Sequence, residues 1–368
     1  MLKIVFAGGG SGGHIYPILS VAQSLRQLHA EKIDLLYLVR KDQLEHKLAL
    51  EADLRVSTFP DMQGMPRSWR VLPWLVRLLY IAFCVGYRML RSERPDLIFS
   101  TGGYASAPVL LAALVLRIPY VLHNLDSHVG LCNQVFMRYA RALSMGMKPQ
   151  RSLSLLDGPV IISGNPVREE FHQDLDRLQA CAELDLNPQR KILLVTGGSQ
   201  GSRIINESLR AIIPQLLSDD WQILHQIGNS YTSDELEDIT SYSKKYHPLY
   251  KVQQFIPAIW KGYSACDLYI GRAGAMTLAE ISFKAVASII IPIPHLAQNH
   301  QMLNAQSLAE NGSIHLLGQD NLSPDTLLKA IKQAYNERHL LKINLSTFSK
   351  INSQSAQNIA NLLNQIMS

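Results

Sequence analysis

The sequence predicts an α/β fold of two doubly wound, Rossmann-like parallel-sheet domains facing a cleft. Three observations lead there. Short apolar strands alternate with amphipathic helices in both halves of the chain. The alternation pauses near residues 164–168 and then restarts. Four glycine loops each follow a strand, the place where open α/β sheets bind ligands. A chain of 368 residues also suits two cores better than one.

In the first half, residues 3–7 read as a strand, followed by a glycine loop and a helix through Ile18, Val21, Ala22 and Leu25. Residues 35–39 form the next strand. Residues 96–100 lead through a glycine turn into a helix over about 108–116, and 120–123 and 160–163 continue the series. After a polar helical stretch the pattern begins again. Strand 191–196 enters a second glycine loop and helix, and 222–226, 251–255, 268–270 and 288–292 are the later strands. Runs this short and apolar suit parallel sheets covered on both faces. The expected division is residues 1–165, residues 166–352, and a terminal segment 353–368 that returns to the first domain.

Composition narrows the classes. With 47% hydrophobic and 18% charged residues, the chain is neither disordered nor fibrous. Cys84, Cys132, Cys181 and Cys266 are scattered with no paired spacing, which suits reduced, intracellular thiols. Residues 1–7 hold one lysine and a very short apolar run, a first strand rather than a secretory signal. The longest apolar run, near residues 78–87, is about half of a bilayer span. A cytosolic protein with at most peripheral membrane contact is expected.

The net charge of +5 is mild, but it is unevenly placed. Arg67, Arg70, Arg77, Arg88, Arg91 and Arg94 fall in one window with Glu93 as its only acid, interleaved with Trp69, Leu72, Trp74, Leu75, Leu79 and Phe83. That pattern fits a helix lying on an anionic leaflet, and equally a core helix with solvated ends. No nucleic-acid module accompanies the charge, so a nucleic-acid partner is not expected.

The glycine loops carry the chemistry. Gly8-Gly9-Gly10-Ser11-Gly12-Gly13-His14 stands between a strand and a helix, where free N–H groups and the positive end of the helix dipole favour a phosphate. It also satisfies the dinucleotide fingerprint, but Arg40 stands where a ribose-binding acid belongs. Residues 196–202 (TGGSQGS), 271–277 (GRAGAMT) and 101–104 (TGGY) are the other three loops. Together they suggest a nucleotide or nucleotide-sugar site. His14, at a helix N-terminus, is either a neutral base or a capping histidine. His123 follows a strand, faces the cleft and reads as structural, while His295 and His300 have no metal-like spacing. The one D-x-D pair, Asp174-Leu175-Asp176, reads as a solvated helix face. No metal and no cofactor are expected, and backbone N–H groups with arginine would carry the leaving-group charge.

GGGSGGH-x-x-P at residues 8–17, GGY at 102–104, GNPVR at 164–168, GGSQGS at 197–202, RAGAMT at 272–277 and His300-Gln301 with Asn304-Ala305 occur in one order. That set resembles the MurG family, the UDP-N-acetylglucosamine–N-acetylmuramyl-(pentapeptide) pyrophosphoryl-undecaprenol N-acetylglucosamine transferases. The resemblance implies a glycosyltransferase B fold, with an acceptor- and membrane-facing first domain and a donor-binding second domain. It implies transfer of N-acetylglucosamine from UDP-N-acetylglucosamine to undecaprenyl-linked lipid I, with inversion, at the cytoplasmic face of the cell membrane. His14 matches the acceptor-activating base. Ser11, Gly12 and Gly13 would lie near the diphosphate and acceptor, and Arg168 and Ser199 on the donor phosphates. Ile256 would meet the uracil through its backbone, Ala275, Met276, Thr277, Leu278 and Ala279 would line the nucleotide, and Glu280 would hold the ribose. Gln301 would contact the sugar hydroxyls. The family usually reads His-Glu-Gln-Asn where this chain has His123-Asn124-Leu125-Asp126, so Asp126 replaces an asparagine near the donor. The rival readings are a related glycolipid transferase with another acceptor, a sugar-nucleotide 2-epimerase, and a binding-only paralogue.

Overall fold

The computed structural model describes residues 1–9, 12–29, 32–40, 43–60, 71–150, 153, 158–294 and 299–367. The chain divides into two compact units. One is Met1–Arg168 together with the C-terminal stretch from Ile351, and the other is Glu169–Lys350.

The first unit is built on β1 (Leu2–Gly8), β2 (Ile33–Val39), β3 (Arg55–Thr58), β4 (Leu97–Gly102), β5 (Tyr120–Asn124), β6 (Ala142–Met145) and β7 (Val160–Ile162). All pairings are parallel, in the order β3-β2-β1-β4-β5-β6-β7. Strand side chains alternate faces, and both faces are covered. Ile4 and Phe6 pack with Ile15, Ile18, Val21 and Leu25 of the helix Gly12–His29. Val5 and Ala7 look the other way, towards Leu110 and Ala113 of the helix Ala107–Leu116. Complete burial of each such Ile, Leu or Phe contributes about 1.5–3 kcal/mol, which is why the central strands are mostly apolar on both faces.

The chain comes back to this unit at its end. Asn165 N–H donates to Asn352 Oδ1 at 3.1 Å, and Ser355 Oγ donates to Gly164 O at 2.7 Å. The helix Ser355–Met367 then sets Ile359 and Leu363 into the same cluster as Ile15 and Ile18.

One expectation changes in length. The apolar run read as about half a bilayer span belongs to a continuous helix, Val71–Glu93, of 23 residues. Arg77 and Arg88 break the apolar run in the sequence without breaking the helix. By length and composition this helix is long and apolar enough to cross a membrane. One side is nevertheless committed to the core through Ile81, Ala82, Gly86 and Leu90, where a side chain at Gly86 would meet Ala112 Cβ at 3.2 Å.

The second unit is built on β8 (Lys191–Thr196), β9 (Trp221–Gln226), β10 (Tyr250–Gln253), β11 (Leu268–Gly271), β12 (Ser288–Ile290) and β13 (His315–Leu316). These are parallel in the order β10-β9-β8-β11-β12-β13. The helices Arg203–Ser218 and Pro324–Asn336 bury Ile205, Leu209, Leu327 and Ile331 against it. The D-x-D pair proves not to be a solvated helix face. Asp176 is a helix N-cap: its Oδ1 accepts from Gln179 N–H at 2.8 Å, and Gln179 Oε1 accepts from Asp176 N–H at 3.3 Å.

Each sheet reverses its winding once. In the first, successive strands run outward from β1 to β3 and then outward the other way from β4. In the second the reversal falls between β8 and β11. Neighbouring loops diverge at such a point and leave backbone groups uncovered, so ligands bind there. The four glycine loops follow β1, β4, β8 and β11, the four strands at the two reversals.

Candidate active site

In the first unit the loop after β1 is drawn tightly onto β4. A side chain at Gly8, where φ is +156°, would stand 2.1 Å from Thr101 Oγ1, so no larger residue fits. His14 lies in the first turn of the helix Gly12–His29 and is half-buried. Its Nδ1 is 2.9 Å from the Thr101 carbonyl, and Thr101 Oγ1 donates to the His14 carbonyl at 3.0 Å. A carbonyl only accepts, so Nδ1 carries the hydrogen and the neutral ring keeps its lone pair on Nε2. That nitrogen faces Gly103, 3.7 Å from the place a Cβ would take. Burial holds the His14 pKa below the ordinary value of 6.5, opposed by the Thr101 hydrogen bond and by the charge of Asp126. A ring that is neutral at pH 7 and has an exposed-side lone pair can accept a proton.

Asp126 owes its position to Asn124, the last residue of β5. Asn124 Nδ2 donates to Asp126 O at 2.7 Å and His128 O at 3.1 Å. Its Oδ1 accepts from Gly130 N–H at 3.0 Å and Asn133 Nδ2 at 3.1 Å. The four bonds of the amide tie β5 to the loop 126–130 and to the helix Leu131–Phe136 that follows it, and a glutamate could not donate the first two. His123 does not face a cleft as expected. It is fully buried, with Nδ1 3.0 Å from Ser144 Oγ and Nε2 3.1 Å from Asn165 Oδ1, and burial lowers its pKa to about 4. The acid missing after β2 is supplied by Glu45, but that carboxylate is 2% exposed and held by Arg40 Nε and, at 3.2 Å, Nη2. It is therefore committed to the ion pair rather than to a ribose. Arg168 lays its guanidinium over the Tyr16 ring at 4.9 Å, beside the same helix. Gly12 and Gly13 open that helix, while Ser11 and, in the basic window, Arg67 and Arg70 lie outside the described residues.

In the second unit the loop after β8 turns into the helix Arg203–Ser218, with Ser199 exposed. Gly201 has φ +82°, and a Cβ there would stand 1.9 Å from Ile227 O. Arg272, after β11, is buried and joins the two loops. It donates to Ser202 Oγ at 2.5 Å and to Ile291 O at 2.9 Å. Desolvation lowers its pKa to about 10, which leaves it a cation at neutral pH. The helix Ala275–Phe283 begins at Gly274. Met276 and Thr277 on its first turn are half-buried, whereas Ala275, Leu278 and Ala279 are buried and offer shape rather than polar groups. Glu280 is 9% exposed, one turn further on. Ile256 is buried, and its N–H already donates to Gln226 Oε1 at 2.9 Å. Gln301, in the first turn of the helix His300–Ala309, accepts from Ile293 N–H at 3.0 Å. Asn304 beside it is fully buried and donates to Ala273 O at 3.4 Å. His295 lies outside the described residues.

Sequence reasoning did not single out Thr101, Gln226 or the buried charge of Arg272. Each sits at the end of a strand bordering a glycine loop, and that position was the available signal.

The N-terminal domain of glycosyltransferase family 28 matches residues 4–145, and the C-terminal domain of that family matches residues 192–363. The UDP-N-acetylglucosamine–N-acetylmuramyl-(pentapeptide) pyrophosphoryl-undecaprenol N-acetylglucosamine transferase of Syntrophotalea carbinolica is 32% identical over 95% of this chain and 94% of its own length. The protein of the same name from Natranaerobius thermophilus is 30% identical over 92% and 93%. The chain belongs to the MurG family.

A solved MurG of Acinetobacter baumannii has the same fold, with a TM-score of 0.74 and 24% identity over 99% of this chain and 100% of that one. The fold also reaches beyond MurG. A Staphylococcus aureus MnaA structure with UDP superposes with a TM-score of 0.68 at 11% identity, covering 99% of this chain and 96% of that one. Two parallel-sheet α/β units of the glycosyltransferase B kind were expected, and that expectation holds.

By NMR titration, His14 will protonate below 6.5, and Asp126→Asn will lower its pKa further, because a carboxylate that favours the imidazolium is removed. An unchanged or higher value in Asp126→Asn would break the electrostatic link between the two.

Proposed function

We propose that this chain transfers N-acetylglucosamine from UDP-N-acetylglucosamine to the C4 hydroxyl of the muramyl group of undecaprenyl-linked lipid I, making lipid II for peptidoglycan. Kinship to transferases of that name over more than nine-tenths of the chain carries the reaction. The tautomer of His14 supports the mechanism. Nε2 accepts the acceptor hydroxyl proton as that oxygen attacks the anomeric carbon, the bond from the anomeric carbon to the diphosphate breaks, and UDP leaves. The imidazolium so formed is stabilised by the Thr101 carbonyl and the charge of Asp126.

The second unit is the donor side of this reading. Ser199 and the N–H groups opening the helix Arg203–Ser218 meet the phosphates; Arg168, in the first unit, is assigned to the same charge on the resemblance. Ile256 takes the uracil, residues 275–279 border the nucleotide, Glu280 holds the ribose hydroxyls, and Gln301 the sugar. Gly12 and Gly13 are assigned to the diphosphate and acceptor, and Ser11 is assigned with them on the resemblance alone. The buried cation Arg272 stiffens the phosphate loop from below.

The membrane contact is assigned to the free side of the helix Val71–Glu93. Leu72, Val76, Leu79 and Tyr80 are exposed there, 69%, 61%, 47% and 63%, while the opposite side packs on the helix Ala107–Leu116. A helix packed along one side and apolar along the other supports lying in the interface over spanning it, and Arg77, Arg88 and Arg91 suit anionic headgroups. In this reading the protein sits peripherally on the cytoplasmic face of the membrane.

With a short-chain lipid I analogue in detergent, UDP release from UDP-N-acetylglucosamine will require the lipid and yield a lipid-linked disaccharide. His14→Ala will lower turnover by about 10²–10⁴-fold while UDP affinity stays nearly unchanged. Free N-acetylmannosamine as the product would replace this reading with an epimerase, and full turnover by His14→Ala would remove the base. Separately, Val76→Glu with Leu79→Glu will weaken sedimentation with anionic vesicles at least about tenfold, and salt will weaken the unsubstituted protein's binding. Unchanged sedimentation would move the membrane contact elsewhere.

A further inference from the structure

Three loops lie side by side at the carboxyl edge of the second sheet, because β10, β9 and β8 are neighbours. The outer two carry proposed donor contacts, Ser199 after β8 and Ile256 after β10. The middle loop carries none, yet it holds both of the others. Gln226, the last residue of β9, is 5% exposed. Its Nε2 donates to Gly198 O at 3.0 Å and its Oε1 accepts from Ile256 N–H at 2.9 Å.

The backbone beyond it repeats the pattern. Asn229 N–H donates to Ser199 O at 3.2 Å, and Gly228 N–H to Gln254 O at 3.0 Å. Ser230 Oγ donates to Gln200 O at 2.7 Å. The loops are in close contact, since a Cβ at Gly228 would stand 2.1 Å from Gly201 N. A buried amide whose two ends go to two different loops fixes their separation, and leaving either end unmade costs the desolvation of that group.

We infer that Gln226 is a positioning residue that sets the spacing between the base-side loop and the phosphate-side loop, and so couples recognition of the two ends of a nucleoside diphosphate. This rests on reading the second unit as the donor site. A ligand whose base and phosphates are covalently joined gains from its second contact only when both subsites stand at the spacing its own frame allows. A base alone, or a phosphate alone, is indifferent to that spacing. Loss of the brace therefore falls on the joined molecule.

The test is calorimetric binding of UDP, uridine and pyrophosphate to the full chain and to two variants, with the melting temperature of each recorded. Gln226→Met keeps the length and loses both bonds. Gln226→Glu keeps the acceptor for Ile256 and loses the donor to Gly198. For Gln226→Met, UDP will bind about tenfold or more weakly, while uridine and pyrophosphate each stay within about threefold. For Gln226→Glu, uridine will bind as it does to the unsubstituted chain and UDP will again weaken. Should Gln226→Met not fold, Gln226→Glu supplies the same comparison of UDP with uridine.

UDP bound equally well by both variants overturns the inference alone. Uridine weakened as much as UDP in Gln226→Met also overturns it, because Gln226 would then hold only the base-side loop. An unsubstituted chain that binds no UDP overturns the donor-site reading, and this inference with it.

Discussion

Thr101 accepts from the His14 ring at 2.9 Å and donates to the His14 carbonyl at 3.0 Å, across the place where the first sheet reverses. Those two bonds decide more than the position of one side chain. They fix the tautomer, and so decide which ring nitrogen meets a substrate. They hold the first turn of a helix against the end of β4, which keeps the helix N–H groups pointed outward. They also require glycine at Gly8, since any side chain there would occupy the space of Thr101 Oγ1. Burial then lowers the His14 pKa, and Asp126 opposes part of that shift. In the proposed mechanism the base is made from a strand end, a helix start and one charge distant in sequence.

The second unit solves a related problem with a different part. Its reversal also lies under two glycine loops, but the link between them is the buried guanidinium of Arg272. Placing a cation beneath a loop that opens a helix adds its field to that of the helix N-terminus. An arginine suits this better than a lysine, because its planar fork reaches Ser202 and Ile291 in two directions at once. The amide of Gln226 extends the same bracing sideways, to the loop after β10. The loops at this end of the second sheet are thus held at set spacings by buried polar side chains.

Much of this was legible in the sequence, for a physical reason. Strands covered on both faces are mostly apolar, and a backbone that must approach a phosphate needs glycine, so strands and ligand loops both leave local marks. β3, β6 and β13 were missed because strands of two to four residues leave too short an apolar run to stand out. Roles that depend on distant partners left no mark. Asn124 stood out only as a departure, and its four hydrogen bonds depend on how residues 126–133 fold back. Asp176 looked like one of a pair of helix-surface acids because capping depends on backbone angles rather than on residue type alone. The helix Val71–Glu93 was read as too short because arginines interrupt its apolar run, although they extend the helix itself.

In the proposed mechanism His14 takes the proton from the attacking hydroxyl in one in-line displacement, and such a displacement inverts the configuration at the anomeric carbon. The direct measurement is the proton NMR anomeric coupling of the disaccharide formed from the α-linked donor and a lipid I analogue. A β-linked product is the result this mechanism requires. An α-linked product would contradict the single in-line displacement on which this account rests.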